Sequence, residues 1–93
     1  MMVRTVRLSR RAQKDLRLAP PQVRSKLKAW INGVTTDGLE EVRKIPGFHD
    51  EPLKGKRKGQ RSIRLSRSHR AIYQVLSDGI WFAQVQEVTK HGY

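Results

Sequence analysis

At 93 residues, with 37% hydrophobic and 30% charged side chains, the chain is long enough for a single domain over 1–93 and too short for a second independent core. Its 20 Lys and Arg against 8 Asp and Glu give a formal charge of +12, a field that points to a polyanionic partner. No apolar run reaches the roughly 18 residues of a membrane span and no signal-peptide pattern is present, so nucleic acid is favoured over membrane and a cytoplasmic protein is expected. With no cysteine and only 3 scattered His, disulfides, thiol nucleophiles and thiolate zinc drop out, leaving chemistry without metal or cofactor.

Met2 to Leu8 mixes Val, Thr and Arg in partial alternation and reads as a strand, with Ser9 as the cap of a following helix. Ala12, Leu16 and Ala19 recur at helical spacing over 10–19, and Pro20-Pro21 ends that helix. Val23, Leu27, Trp30, Ile31 and Val34 then form one continuous stripe, with Arg24, Lys26 and Lys28 outside it. The two helices make a hairpin suited to covering one face of a sheet. Asp37 to Lys44 has room for one more helical turn. Pro46, Gly47, Pro52, Gly55 and Gly59 mark a basic connection over about 45–60 that contains KGKRKG. Three strands follow, over roughly 60–66, 70–76 and 80–89, the last two joined at Ser77-Asp78-Gly79. The expected class is α+β: an N-terminal strand and helical hairpin packed on one face of a mainly antiparallel four-stranded sheet.

On the first of these strands Ile63 and Leu65 point one way and Ser62, Arg64 and Ser66 the other. If the helices cover the Ile63/Leu65 face, the opposite face presents Arg64, with Lys54, Lys56, Arg57 and Lys58 of the loop beside it. Arg offers phosphate a planar fork of donors and Lys a compact charge. On composition alone the same run reads equally well as solvated surface. Trp30 and Phe82 sit at core periodicities. His69 lies in a turn that it would serve to stabilise.

Glu51-Pro52-Leu53-Lys54-Gly55, Arg64, Ser68-His69-Arg70-Ala71-Ile72-Tyr73 and the closing Lys90-His91-Gly92-Tyr93 form an ordered set. The stretch EPLKGKRKGQRSIRLSRSHRAIYQV resembles the central signature of RelE/ParE superfamily toxins, particularly the ribonuclease branch, in which PLKG leads into a strand, a short turn and an R-x-[IV]-Y strand. Lys14-Asp15-Leu16 extends the resemblance into the helical hairpin, so it covers nearly the whole chain. It implies RNA held across the exposed sheet face, and cleavage of messenger RNA in the ribosomal decoding site by attack of a ribose 2'-hydroxyl on the adjacent phosphate. It also implies roles: Arg70 and Arg64 on the phosphate, Glu51 and His91 in proton transfer, and Lys54, Lys56, Arg57, Lys58, Arg61 and Tyr93 on messenger or ribosomal RNA. Tyr73 matches a packing tyrosine. Gly92 separates His91 from Tyr93, where the branch with Glu before PLK has His followed directly by Tyr.

A toxin of this kind requires a cognate antitoxin protein. The runner-up is a gyrase-binding toxin of the ParE branch, and a third class is a plain nucleic-acid-binding module. Shared fold does not separate them. The set Glu51, Arg64, Arg70 and His91 favours cleavage, since binding alone needs no acid and base beside phosphate ligands.

Overall fold

A computed structural model describes residues 2–90. Strand β1 (Thr5–Leu8) leads through Ser9 into helix α1 (Arg10–Leu18), and the Ser9 hydroxyl accepts from the Ala12 amide at 3.0 Å, satisfying a donor that the first turn leaves orphaned. Helix α2 (Pro21–Asp37) starts on Pro21, where a missing amide hydrogen costs nothing, and ends at Gly38, whose φ of 90° suits glycine. Its stripe of Val23, Leu27, Trp30 and Val34 is buried. A single turn, α3 (Leu39–Val42), follows and buries Leu39 and Val42.

The remaining strands are β2 (Glu51–Pro52), β3 (Gln60–Arg64), β4 (His69–Ser77) and β5 (Trp81–Lys90), in the sheet order β1-β5-β4-β3-β2. The four-stranded expectation is corrected to five. Glu51 and Pro52 pair antiparallel with Ser62 and Arg61 as a two-residue edge strand, too short for any alternation to mark it and tolerant of proline because only one side is paired. The sheet is mixed, since β1 runs parallel to β5, Thr5 to Leu8 facing Phe82 to Val85. Ile63, Leu65, Ala71, Tyr73, Ala83, Val85 and Val88 meet the stripes of the helices in one core.

Tyr73 faces Val85 while the adjacent Ile72 faces Glu87, so Gln86 is an extra residue in β5, a β-bulge. A bulge strands backbone groups, and the N-terminal helix takes them up. The Ser9 hydroxyl donates to the Gln86 carbonyl at 2.7 Å, the Val88 amide donates to Asp15 Oδ2 at 3.0 Å, and the Ser9 amide donates to the Val85 carbonyl at 2.9 Å. Among the described residues no helix is long and apolar enough to cross a membrane.

Candidate nucleic-acid interface and active site

The helices cover the face carrying Ile63, Ala71 and Tyr73, and cross-strand pairing assigns the other face residue by residue. One row across it is Glu51, Ser62, Ile72 and Glu87; the row beside it holds Arg64, Arg70 and Thr89. Three of the expected site residues therefore converge. Arg70 Nη1 donates to Glu51 Oε1 at 3.3 Å and to Ser62 Oγ at 3.2 Å. Ser62 itself is buried beneath this guanidinium. Arg64 lies exposed directly opposite Arg70, a placement that repels in the absence of an anion. His49, the one non-glycine with positive φ among the described residues, brings Nε2 within 3.6 Å of Glu51 Oε2. His91 and Tyr93 lie outside the described residues.

The basic loop between β2 and β3 turns through a 3-10 helix, Gly55–Arg57. Lys54, Lys56 and Lys58 are exposed on it, and neither they nor Arg64 meets a carboxylate among the described residues. Arg57 folds back across the sheet instead, donating to Gln60 Oε1 and to Glu87 Oε2, each at 3.3 Å. Glu87 also faces Arg11 Nη2 at 3.8 Å, so the one acid in the middle of the face is neutralised from α1 and from the loop together.

Arg61 does not join this face. It pairs with Tyr73 in the register and so points to the helix side, where its Nε donates to Asp50 Oδ1 at 2.6 Å and the Tyr73 hydroxyl donates to Asp50 Oδ2 at 2.5 Å. Burial opposes the Arg61 charge, but the hydrogen bond and the charge of Asp50 outweigh it and raise the guanidinium pKa. Burial first, then the hydrogen bond and the charge of Asp50, pushes the Tyr73 phenol well above its ordinary range. This triad braces the segment that delivers Glu51. Phe82 is buried as its periodicity implied, but on the outer face, with the Arg7 guanidinium 4.1 Å from its ring centre. His69 keeps to its turn, Nδ1 lying 3.2 Å from Ser66 Oγ and 3.3 Å from Ser68 Oγ. Among the described residues no group of three His, Asp or Glu is placed to hold a metal ion.

No protein-family model matches the chain, and no curated protein does. Solved structures do. A YoeB/ParE toxin from Agrobacterium tumefaciens superposes on 95% of this chain and 99% of its own at TM-score 0.73 and 20% identity. A chain of the DinJ-YafQ toxin-antitoxin complex of E. coli covers 95% of this one and 92% of itself at TM-score 0.68 and 25% identity. One from the toxin-antitoxin complex RelBE2 of Mycobacterium tuberculosis covers 95% and 98% at TM-score 0.66 and 20% identity. The chain has the RelE/YoeB-like toxin fold.

On this RelE/YoeB-like scaffold the sequence reading missed the middle of the sheet face. Gln60, Gln74, Gln86 and Glu87 line it, linked by side-chain hydrogen bonds to one another or through Arg57. The available signal was Gln86-Glu87, two adjacent polar residues interrupting the alternation of FAQVQEV. Such a pair marks a bulge, which turns both side chains to one face.

Proposed function

We propose that this chain is the toxin of a type II toxin-antitoxin pair, and that it acts as a metal-independent endoribonuclease cutting messenger RNA in the ribosomal decoding site. The observation that carries the reading is the facing pair Arg64 and Arg70, set beside Glu51 at the rim of the sheet. Two arginines directly opposite each other on neighbouring strands repel, and a phosphate bound between them relieves that repulsion. The exposed Lys54, Lys56 and Lys58 extend the positive field along the path of a strand.

The reaction needs a proton taken from the 2'-hydroxyl, charge stabilised on the phosphorane oxygens, and a proton given to the departing 5'-oxygen. Arg70 and Arg64 oppose the developing charge. A phosphate drawing Arg70 away from Glu51 leaves that carboxylate beside the nucleophile as the base, and His91 supplies the acid; the roles of these two groups exchange if the strand binds in the opposite sense. The products are a 2',3'-cyclic phosphate and a 5'-hydroxyl. A cognate antitoxin silences the protein, by covering the same basic face with an acidic or helical segment or by holding a catalytic element out of place.

The test is translation in a purified ribosomal system with mapping of message ends, comparing the protein with Arg70→Ala and His91→Ala. Cuts within the decoding site that both substitutions weaken at least a hundredfold are expected, in line with the usual contribution of an acid-base or charge-stabilising group. Intact messages at inhibitory protein concentrations would overturn the nuclease reading and direct the next assay to gyrase.

A further inference from the structure

Each oxygen of Glu51 has a different neighbour. Arg70 Nη1 lies 3.3 Å from Oε1, and His49 Nε2 lies 3.6 Å from Oε2. Cleavage as described above takes the first of these away, because a phosphate that draws Arg70 off leaves the carboxylate held from one side only. The arriving anion also raises the affinity of the carboxylate for a proton, so the base strengthens at the moment it loses an anchor. Glu51 keeps 42% of its side chain in water and stands on a two-residue edge strand. With Oε2 unheld as well, nothing would stop the side chain from turning into solvent, and a displacement of about 1 Å at a reacting group costs on the order of a hundredfold in rate.

His49 is fixed where it can supply the second anchor. Its backbone has φ 47° and ψ 51°, a left-handed conformation that glycine adopts without cost and a side chain does not. The turn is imposed from both sides. The His49 amide donates to the Pro46 carbonyl at 3.0 Å, and the next residue, Asp50, is locked between Arg61 and Tyr73. Glu51 is the one polar partner of the ring among the described residues. A pair as exposed as this adds little to stability, and the turn alone would be better served by glycine, so the fold itself gives no reason for an imidazole here. Backbone strain held in place by its surroundings gathers where function needs it. At 3.6 Å the contact lies just outside hydrogen-bonding range, and contacts of this kind tighten in the substrate complex. We propose that His49 is a positioning residue for Glu51: its Nε2–H donates to Oε2 once a phosphate has taken Arg70, and holds the carboxylate against the 2'-hydroxyl. That donor exists in imidazolium and in the Nε2–H tautomer of neutral imidazole alike. The assignment rests on the RNA-cleavage reading above and adds to it the group that keeps the base in place.

The experiment is single-turnover cleavage of message on programmed ribosomes by the full chain and its His49→Gly, His49→Gln and Glu51→Gln variants, and by Glu51→Gln combined with His49→Gly. Circular dichroism and an unfolding midpoint establish that each is folded. His49→Gly suits the φ of the turn and removes only the ring, so it should fold as the native chain does and yet cut at least about tenfold more slowly at saturating protein. The protein concentration for half-maximal cutting should not move, since the phosphate ligands are untouched. His49→Gln, which keeps a nitrogen donor at a similar reach, should recover most of the rate. In the Glu51→Gln background the loss of His49 should cost nothing further, because it acts through the carboxylate already removed. Four results overturn the proposal and leave cleavage standing: His49→Gly as fast as the native chain, His49→Gln no faster than His49→Gly, losses that multiply in the double variant, or Glu51→Gln cutting at the full rate. A native chain that cuts no message overturns the nuclease reading and the proposal together.

Discussion

Asp50 is the residue whose removal should be felt most strongly for its size. Its carboxylate is fully buried, holding the Arg61 guanidinium on one oxygen and the Tyr73 hydroxyl on the other. Asp50→Ala strands both. Removing one partner of a buried ion pair costs about 3–5 kcal/mol, but Arg61 keeps 22% of its side chain in water and recovers some hydration there, which favours the lower end. The unpaired phenol adds about 1 kcal/mol. A net loss of about 3–4 kcal/mol lowers Tm by roughly 12–30 °C for a domain of this size. The assay is urea unfolding followed by the emission of Trp30, which lies 5.0 Å from the Tyr73 ring, in a Trp81→Phe background that removes the exposed second tryptophan. Asp50→Ala combined with Arg61→Met should recover at least about 1 kcal/mol relative to the sum of the single changes, because no charge is then left unpaired. A loss under about 1 kcal/mol for Asp50→Ala, or strict additivity in the pair, would refute the assignment of this triad as a buried brace.

The raised phenol of Tyr73 has a consequence in alkali. Below the ordinary value of 10.0 it is protonated in both states; above it the unfolded chain releases the proton first, so stability should fall by about 1.4 kcal/mol per pH unit. Tyr73→Phe should flatten that limb, which denaturant midpoints between pH 9 and 11 read directly. Ser9→Ala removes both the helix cap and the donor to the bulge carbonyl and should cost about 1–2 kcal/mol by the same unfolding assay; an unchanged midpoint would remove the stitch between α1 and β5 from the account. Replacing Lys54, Lys56 and Lys58 together by Ala should lower the salt slope of single-stranded RNA binding by about 2, at about 0.7 for each phosphate no longer neutralised, and a slope that does not move would place these lysines off the RNA path.

The helices were open to reading because each carries its own evidence: Ser9 before α1, Pro20-Pro21 between the pair, and a stripe from Val23 to Val34 that a 3.6-residue period makes continuous. The buried side of β3 followed from a period of two, which set Arg64 on the open face; Arg70 was singled out by the family resemblance alone, and its pairing opposite Arg64 is what brings the two to one face. What escaped was fixed by partners distant in sequence. The strand at Glu51–Pro52 exists only because Arg61–Ser62 lies beside it, and the parallel pairing of β1 with β5 is invisible in either segment alone. Arg61 looks like its basic neighbours until pairing with Tyr73 turns it inward onto Asp50. The hydrogen-bonded glutamines of the sheet face were hidden by the bulge that breaks the period in β5.

The stitch between Ser9 and the bulge joins residues 77 positions apart, and this bears on when the protein becomes itself. During synthesis β1 and α1 leave the ribosome first, but the strand that receives them is the last to be made. Until β5 has emerged, β1 has no neighbour to pair with and the Ser9 and Asp15 side chains have no bulge to hold. Non-local pairing of this kind closes slowly and late. The nascent chain therefore carries its arginines unassembled until β5 has emerged, an interval in which a partner that binds the helical hairpin meets it before the sheet is closed.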